Sequence, residues 1–273
     1  MNRFIKAALR PVRSAARRAG LEIATVPGQR HWRAGVELLW HPFDASVRRV
    51  PISTVTYEGK QLQFLVERRG DWIQGHHLQG KFYAVEELEV MRTAFRGGAF
   101  VDVGANVGNH SIFAAAIIGA PRVIAFEPNP DAYRVLRCNI ALNDLAGTIE
   151  HLPFGLSDHD GQASVAVPDP DINLGGARLA DDPAGPVQLR RGDDLLAGEV
   201  KIGFLKIDVE GLEMQVLAGL AETIARCRPP MMVEVDDKNR AAFDAWQQQI
   251  QYTLDAETRP YNGMANLFLS PIG

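Results

Sequence analysis

Ala99-Phe100-Val101-Asp102-Val103-Gly104-Ala105-Asn106-Val107-Gly108-Asn109-His110 is the stretch on which the fold of this chain turns. An apolar run closes on a carboxylate, Gly104 and Gly108 follow, and a helix start comes next. Buried strand, tight turn and helix start in that order make a nucleotide-type binding loop. The spacing departs from G-x-G-x-x-G, because Asn106 stands where a dinucleotide loop has its second glycine for close approach to pyrophosphate. An acidic strand end followed by small residues suits a ligand carrying both a positive charge and a carboxylate. S-adenosylmethionine is such a ligand.

Downstream, apolar runs alternate with helical stretches, the pattern of βαβ units on a parallel sheet. Strands are expected over residues 100–103, 122–126, 149–152, 202–207 and 230–235, with helices from Asn109 and over 131–142, where Pro130 suits a first helical turn. A polar hairpin is expected with Asp158-His159-Asp160-Gly161 at its turn and 163–167 as a strand. Ligands bind beyond the carboxyl ends of parallel strands, so Asp102, Glu127, Asp208 and the acids from Glu234 to Asp237 should converge there. Glu127 follows the glycine loop by about 20 residues, the interval of a ribose contact, and a carboxylate accepts strongly from both ribose hydroxyls.

Residues 100–115 with Val123-Ile124-Ala125-Phe126-Glu127-Pro128-Asn129 resemble the first two motifs of an FkbM-type methyltransferase. Phe204-Leu205-Lys206-Ile207-Asp208-Val209-Glu210-Gly211 followed by Glu213-Met214-Gln215-Val216-Leu217 is similar to that family's most distinctive signature. The resemblance runs from Tyr57 to the C-terminus. It implies a doubly wound, Rossmann-like class I methyltransferase sheet of α/β class behind a β-rich and helical N-terminal extension. It further implies S-adenosyl-L-methionine as cofactor and a hydroxyl acceptor, in a sugar of a bacterial glycan or a natural-product glycoside. The expected cofactor residues are Asp102, Gly104, Ala105, Asn106, Gly108, Asn109, Glu127, Pro128 and Asn129. Asp208 and Glu210 are the candidates to take the acceptor's proton, Asp208 first.

Two segments depart from the family pattern. Arg190-Arg191-Gly192-Asp193-Asp194-Leu195-Leu196 stands where relatives carry threonine and leucine before the aspartate, and it should lead into a short helix. Residues 168–186, rich in Pro, Gly and Asp, read as a mobile loop over the acceptor side, with Asn173, Arg178 and His159 as conceivable acceptor contacts.

Asp208, Glu234 and Asp236 are also hard oxygen ligands of the kind Mg2+ takes. A cation there would lower the pKa of the acceptor hydroxyl, and the bland alternative is a set of solvated or helix-capping acids. Two other functions compete: a nicotinamide-dependent oxidoreductase, against which Asn106 and the Asp208–Gly211 turn speak, and a non-catalytic interaction scaffold.

The 273 residues, 46% hydrophobic and 23% charged, suit one sizeable core. The expected division is a basic N-terminal arm (1–30), a β-rich lobe with a helix (31–95) and the methyltransferase core (96–273). A net charge of −4 gives no basic footprint, so nucleic acid is not an expected partner. Cys138 and Cys227 form no C-x-x-C pair, which suits a reducing, cytoplasmic setting. Arg3, Lys6, Arg10, Arg13, Arg17 and Arg18 interleave with Phe4, Ile5, Leu9 and Val12, a basic amphipathic helix limited by Pro11. Such a face docks peripherally on an anionic membrane or an acidic partner, or is simply a solvated arm. No apolar run approaches the roughly 20 residues that span a bilayer. Two strands are expected around Glu58-Gly59-Lys60, then a loop through His76 and His77 beside the cofactor pocket, then a helix over 84–95. Both histidines read as polar loop residues rather than metal ligands.

Overall fold

The computed structural model describes residues 22–24, 35–39, 48–167, 174, 176–260 and 262–272. Apart from Glu22–Ala24, the basic arm expected over 1–30 lies outside the described residues, as do Asn173 and most of 168–175.

Strands β1 (Glu22–Ala24), β2 (Gly35–Leu39), β3 (Arg48–Tyr57) and β4 (Lys60–Leu65) pair antiparallel in sequence order. The β3–β4 turn is where the sequence puts it. Glu58 (φ 47°) and Gly59 (φ 80°) both lie in the left-handed region that a two-residue hairpin turn requires.

The segment after β4 differs from expectation. Trp72–Leu78 is a helix, because Asp71 caps it by accepting from the Gln74 amide at 2.9 Å. With Gly75 and two histidines inside, it shows no apolar periodicity to announce it. The helix Val85–Ala94 follows as expected.

The central sheet has seven strands: β5 (Ala99–Val103), β6 (Arg122–Phe126), β7 (Ile149–Leu152), β12 (Ile202–Ile207), β13 (Met231–Asp236), β14 (Tyr252–Thr258) and β15 (Met264–Pro271). Its order is β14-β15-β13-β12-β5-β6-β7, parallel except at β15, which runs antiparallel to both neighbours. The order reverses between β5 and β12, and at that switch point a ligand crevice opens. This is the doubly wound, Rossmann-like α/β sheet that the sequence leads one to expect.

Alternation along the fully buried strands divides the core into two faces. Leu205 and Ile207 of β12 pack with Val101, Val103 and Val216 on one. Phe204 stacks on Phe100 at 5.5 Å on the other, in a cluster that also holds Val55, Phe64, Phe82 and Leu88. The N-terminal hairpin and the Val85–Ala94 helix therefore share the core of the central sheet. At roughly 25 cal/mol per Å2 of apolar area buried, such aromatics are its main cohesive contribution.

A second sheet, ordered β10-β9-β11-β8, joins β8 (Phe154–Ser157), β9 (Gly161–Ala166), β10 (Arg178–Asp181) and β11 (Val187–Arg191). The expected hairpin is thereby corrected: β8 and β9 are not partners, since β11 lies between them, parallel to β8 and antiparallel to β9. Val187 and Leu189 of β11 bury against Ala163, an apolar contact that a two-stranded ribbon lacks. Arg178–Asp181, expected within a mobile loop, is likewise a strand on β9. The variant segment leads into the short helix Gly192–Leu195, where Asp193 accepts the Thr223 amide at 2.7 Å and caps a neighbouring helix. No helix among the described residues is long and apolar enough to cross a membrane.

Candidate active site

A cleft lies at the carboxyl edge of β5, β6, β12 and β13. Gly104, Ala105, Asn106, Asn109, Glu127 and Pro128 line one part, and Lys206, Asp208, Glu210 and Glu234 line another. Trp72 and Ile73 from the unexpected helix reach the same space.

The glycine turn has a steric cause. Gly104 has φ 81°, and a Cβ on it would sit 1.8 Å from the Asp208 carbonyl oxygen. Only glycine allows the two loops to approach so closely. Gly108, at φ 91°, does not line the cleft; a Cβ there would meet Leu136 at 2.7 Å, so its role is packing of the following helix. Asn106 adopts φ 50°, which asparagine tolerates, and its buried side-chain oxygen has no partner.

Glu127 ends β6 in the cleft, nearly buried, and accepts the Asn106 amide at 2.7 Å and the Asn129 amide at 2.8 Å. Each oxygen keeps a second lone pair. Burial raises its pKa to about 7, against the lowering effect of those two amides.

Three of the expected cofactor residues have their side chains committed to the protein. Asp102 is fully buried, accepts from Ser111 at 2.6 Å and pairs with Lys206 at 3.1 Å, so it does not line the cleft. Asn129 accepts the Asp131 amide and caps the helix Pro130–Leu142. Asn109 lines the cleft, yet its amide is spent on Tyr83 and His77. His77 is not a loop histidine: it is buried and stacked on Phe64 at 3.9 Å, and burial lowers its pKa to about 4. His76 turns away to the Trp72 carbonyl.

On the opposite side, carboxylate oxygens of Asp208, Glu210 and Glu234 all lie within 4.8 Å of one another. Burial first, then the Asp208 charge and the contact with its carboxyl, push Glu234 well above the usual carboxylate range. For Asp208 burial alone would do the same, but the Lys206 ammonium at 3.3 Å and the Glu234 hydrogen bond hold its pKa down. Glu210 is raised to about 7, by burial first and by Asp208 second. Its φ of 53° is a left-handed conformation rare for glutamate, and Gly211 at φ 100° completes the turn.

Asp236, expected with Asp208 and Glu234 as a cation ligand, is corrected by this geometry. It accepts the Lys238 amide at 3.0 Å, pairs with the Lys238 ammonium and caps a 3-10 turn, while Glu210 takes its place in the cluster. Any cation bound there would also face the Lys206 ammonium already set against Asp208. His159 lies on an exposed turn, 2.7 Å from Asp158, outside the residues that line the cleft. Arg178 is exposed, and its charge is felt at Glu210 and Asp236.

A Methyltransferase FkbM domain matches residues 102–257, more than half of the chain. The chain belongs to the FkbM methyltransferase family. Methyltransferase sdnD of Sordaria araneosa is 33% identical over 155 residues, 45% of this chain and 60% of that protein. Hexuronic acid methyltransferase AglP of Haloferax volcanii is 36% identical over 126 residues, again 45% of this chain and 50% of that protein. The chain thus spans about half the length of the curated relatives it matches. A solved FkbM methyltransferase from Methylobacillus flagellatus KT aligns at 17% identity and a TM-score of 0.45, over 72% of this chain and 52% of its own.

Within this FkbM domain, Lys206 and His110 are cleft residues that the motifs did not single out. Lys206 had a signal: it is a lone cation in an otherwise apolar strand, two residues before Asp208. His110 had none. Its buried Nε2 has no partner, and burial, then Lys206, lower its pKa to about 4, so the ring is neutral at pH 7.

Proposed function

We propose that this FkbM-family methyltransferase uses S-adenosylmethionine to methylate a hydroxyl, in a sugar of a glycan or glycoside. The observation that carries the reading is the juxtaposition in one cleft of the glycine turn and Glu127 with the Asp208, Glu210 and Glu234 carboxyls. The name of AglP, a hexuronic acid methyltransferase, supports a sugar as acceptor.

The residues present fit the cofactor. Asn106 lines the cleft with a side-chain oxygen that lacks a donor in the protein, an acceptor open to a ligand N–H or O–H, and the Glu127 carboxylate has lone pairs to spare for ribose hydroxyls. S-adenosylmethionine, when bound, supplies an electrophilic methyl group on a cationic sulfur. Holding the acceptor oxygen in line with that carbon provides much of the acceleration. Glu210 takes the hydroxyl proton. A base near pH 7 is better matched to that task than one held acidic, so Glu210 rather than Asp208 is the acceptor of the proton. Asp208, kept ionised by Lys206, orients the hydroxyl and offsets charge on the sulfur side.

Calorimetric titration with S-adenosylhomocysteine should show a single site. Incubation with labelled S-adenosylmethionine and a panel of hexuronic acids and glycosides should add one methyl group by mass spectrometry. Absence of binding overturns the cofactor assignment; binding with transfer only to nitrogen or carbon acceptors overturns the hydroxyl.

A further inference from the structure

Lys206 is 1% exposed on its side chain, and three oxygens surround its ammonium, one accepting a hydrogen bond and two as ion-pair partners. They are Gly104 O at 2.9 Å, Asp102 Oδ1 at 3.1 Å and Asp208 Oδ2 at 3.3 Å. The three oxygens come from the glycine turn, the end of β5 and the residue that follows β12, so the contacts join segments distant in sequence. The register is what brings them together, since Lys206 stands directly opposite Asp102 across the β5–β12 pair.

Burying an ammonium is costly unless it is paired and hydrogen-bonded. Neutralising Asp102 alone would need only one of these contacts. The remaining two join a carbonyl of the turn beside Glu127 to a carboxylate of the acid cluster. The same two loops touch through the Gly104–Asp208 backbone contact, where no side chain fits.

We propose that Lys206 is a positioning residue that ties the cofactor turn to the acceptor-facing carboxylates, so that the two halves of the cleft hold one geometry. This rests on the functional reading above. The ammonium holds the Gly104 carbonyl and with it the Ala105 amide of the same peptide, which donates to Phe126 O. It also makes Asp208 responsive to what binds at Glu127.

The test compares Asp102→Asn with Asp102→Asn/Lys206→Met. The double variant removes one buried charge of each sign, and Asp208, deprived of its cation, is pushed by burial toward its neutral form; the amide oxygen introduced by Asp102→Asn still accepts from Ser111. Thermal melting checks that both fold, and S-adenosylhomocysteine is the probe. A positioning role lowers affinity in the double variant by roughly tenfold beyond Asp102→Asn, the size of one charge-assisted contact. Equal affinity in the two variants means Lys206 only balances Asp102, and overturns the proposal. A second measurement needs no variant: in wild-type protein with 15N-labelled lysine, a slowly exchanging ammonium signal should shift on adding S-adenosylhomocysteine. An ammonium signal unmoved at saturation also overturns it. Wild-type protein that fails to bind S-adenosylhomocysteine overturns the functional reading itself, a result distinct from either of these.

Discussion

The two sides of the cleft are built from different materials. The cofactor side is backbone: Gly104, Ala105 and Asn106 present a turn, and Glu127 is held by the amides of Asn106 and Asn129. The acceptor side is side chains: Asp208, Glu210 and Glu234 crowd within 4.8 Å, two of them with pKa values raised by burial and by neighbouring charge. The first is a geometric solution that tolerates almost no added atom. The second is an electrostatic one that tolerates isosteres in shape but not in charge.

Gly104→Ala should produce the largest effect. The methyl group meets the Asp208 carbonyl oxygen at 1.8 Å in a left-handed backbone, so a stability loss on the order of 4 kcal/mol is expected in chemical denaturation. A variant with wild-type stability would show that the turn is not sterically set. Glu210→Gln keeps shape and removes a base. Turnover should fall by roughly two to four orders of magnitude while S-adenosylhomocysteine affinity stays within about twofold. Asp208→Asn should lower turnover as well, and a larger loss there than at Glu210 would return the proton to Asp208.

Glu127→Ala probes the other side, with an expected loss of roughly 100-fold in S-adenosylhomocysteine affinity and little change in turnover at saturation. Unchanged affinity by calorimetry would remove the ribose contact.

The pH dependence separates folding from binding. Glu127 and Glu210 have folded pKa values raised to about 7 from an ordinary 4.5. Their contribution to stability is therefore fully present below about 4.5 and is lost as pH rises through about 7. Ligand-free protein should melt lower at pH 8 than at pH 5.5, by a few degrees. Affinity for S-adenosylhomocysteine should move the opposite way, rising between about pH 6 and 8 as the Glu127 carboxylate ionises, and the rise should vanish in Glu127→Gln. Asp236→Ala should have the smallest effect, about 1 kcal/mol for a lost cap, with turnover retained and no change on adding or chelating magnesium. A magnesium-dependent loss would place Asp236 back among cation ligands.

The chain's periodicity and spacing determined the five parallel strands β5, β6, β7, β12 and β13, the glycine turn, Glu127 and the Asp208–Gly211 turn, because these depend on residues close in sequence, whereas β14 and β15 came only with the structure. Strand alternation fixes which side chains face which layer, and a tight turn permits few residue types. The Glu58-Gly59 hairpin is legible for the same reason. Three-dimensional packing decided the rest. The insertion of β11 between β8 and β9, the helix capped by Asp71 and the burial of His77 against Phe64 all rest on contacts that no sequence period announces. So does the division among the acids. Asp102, Asp208, Glu234 and Asp236 look alike in a sequence, yet one pairs with a buried lysine, one is held low by that lysine, one is pushed up by burial and one caps a turn. A carboxyl group's chemistry is set by burial and by the charges around it, and neighbours of that kind are supplied by the fold rather than by adjacent residues.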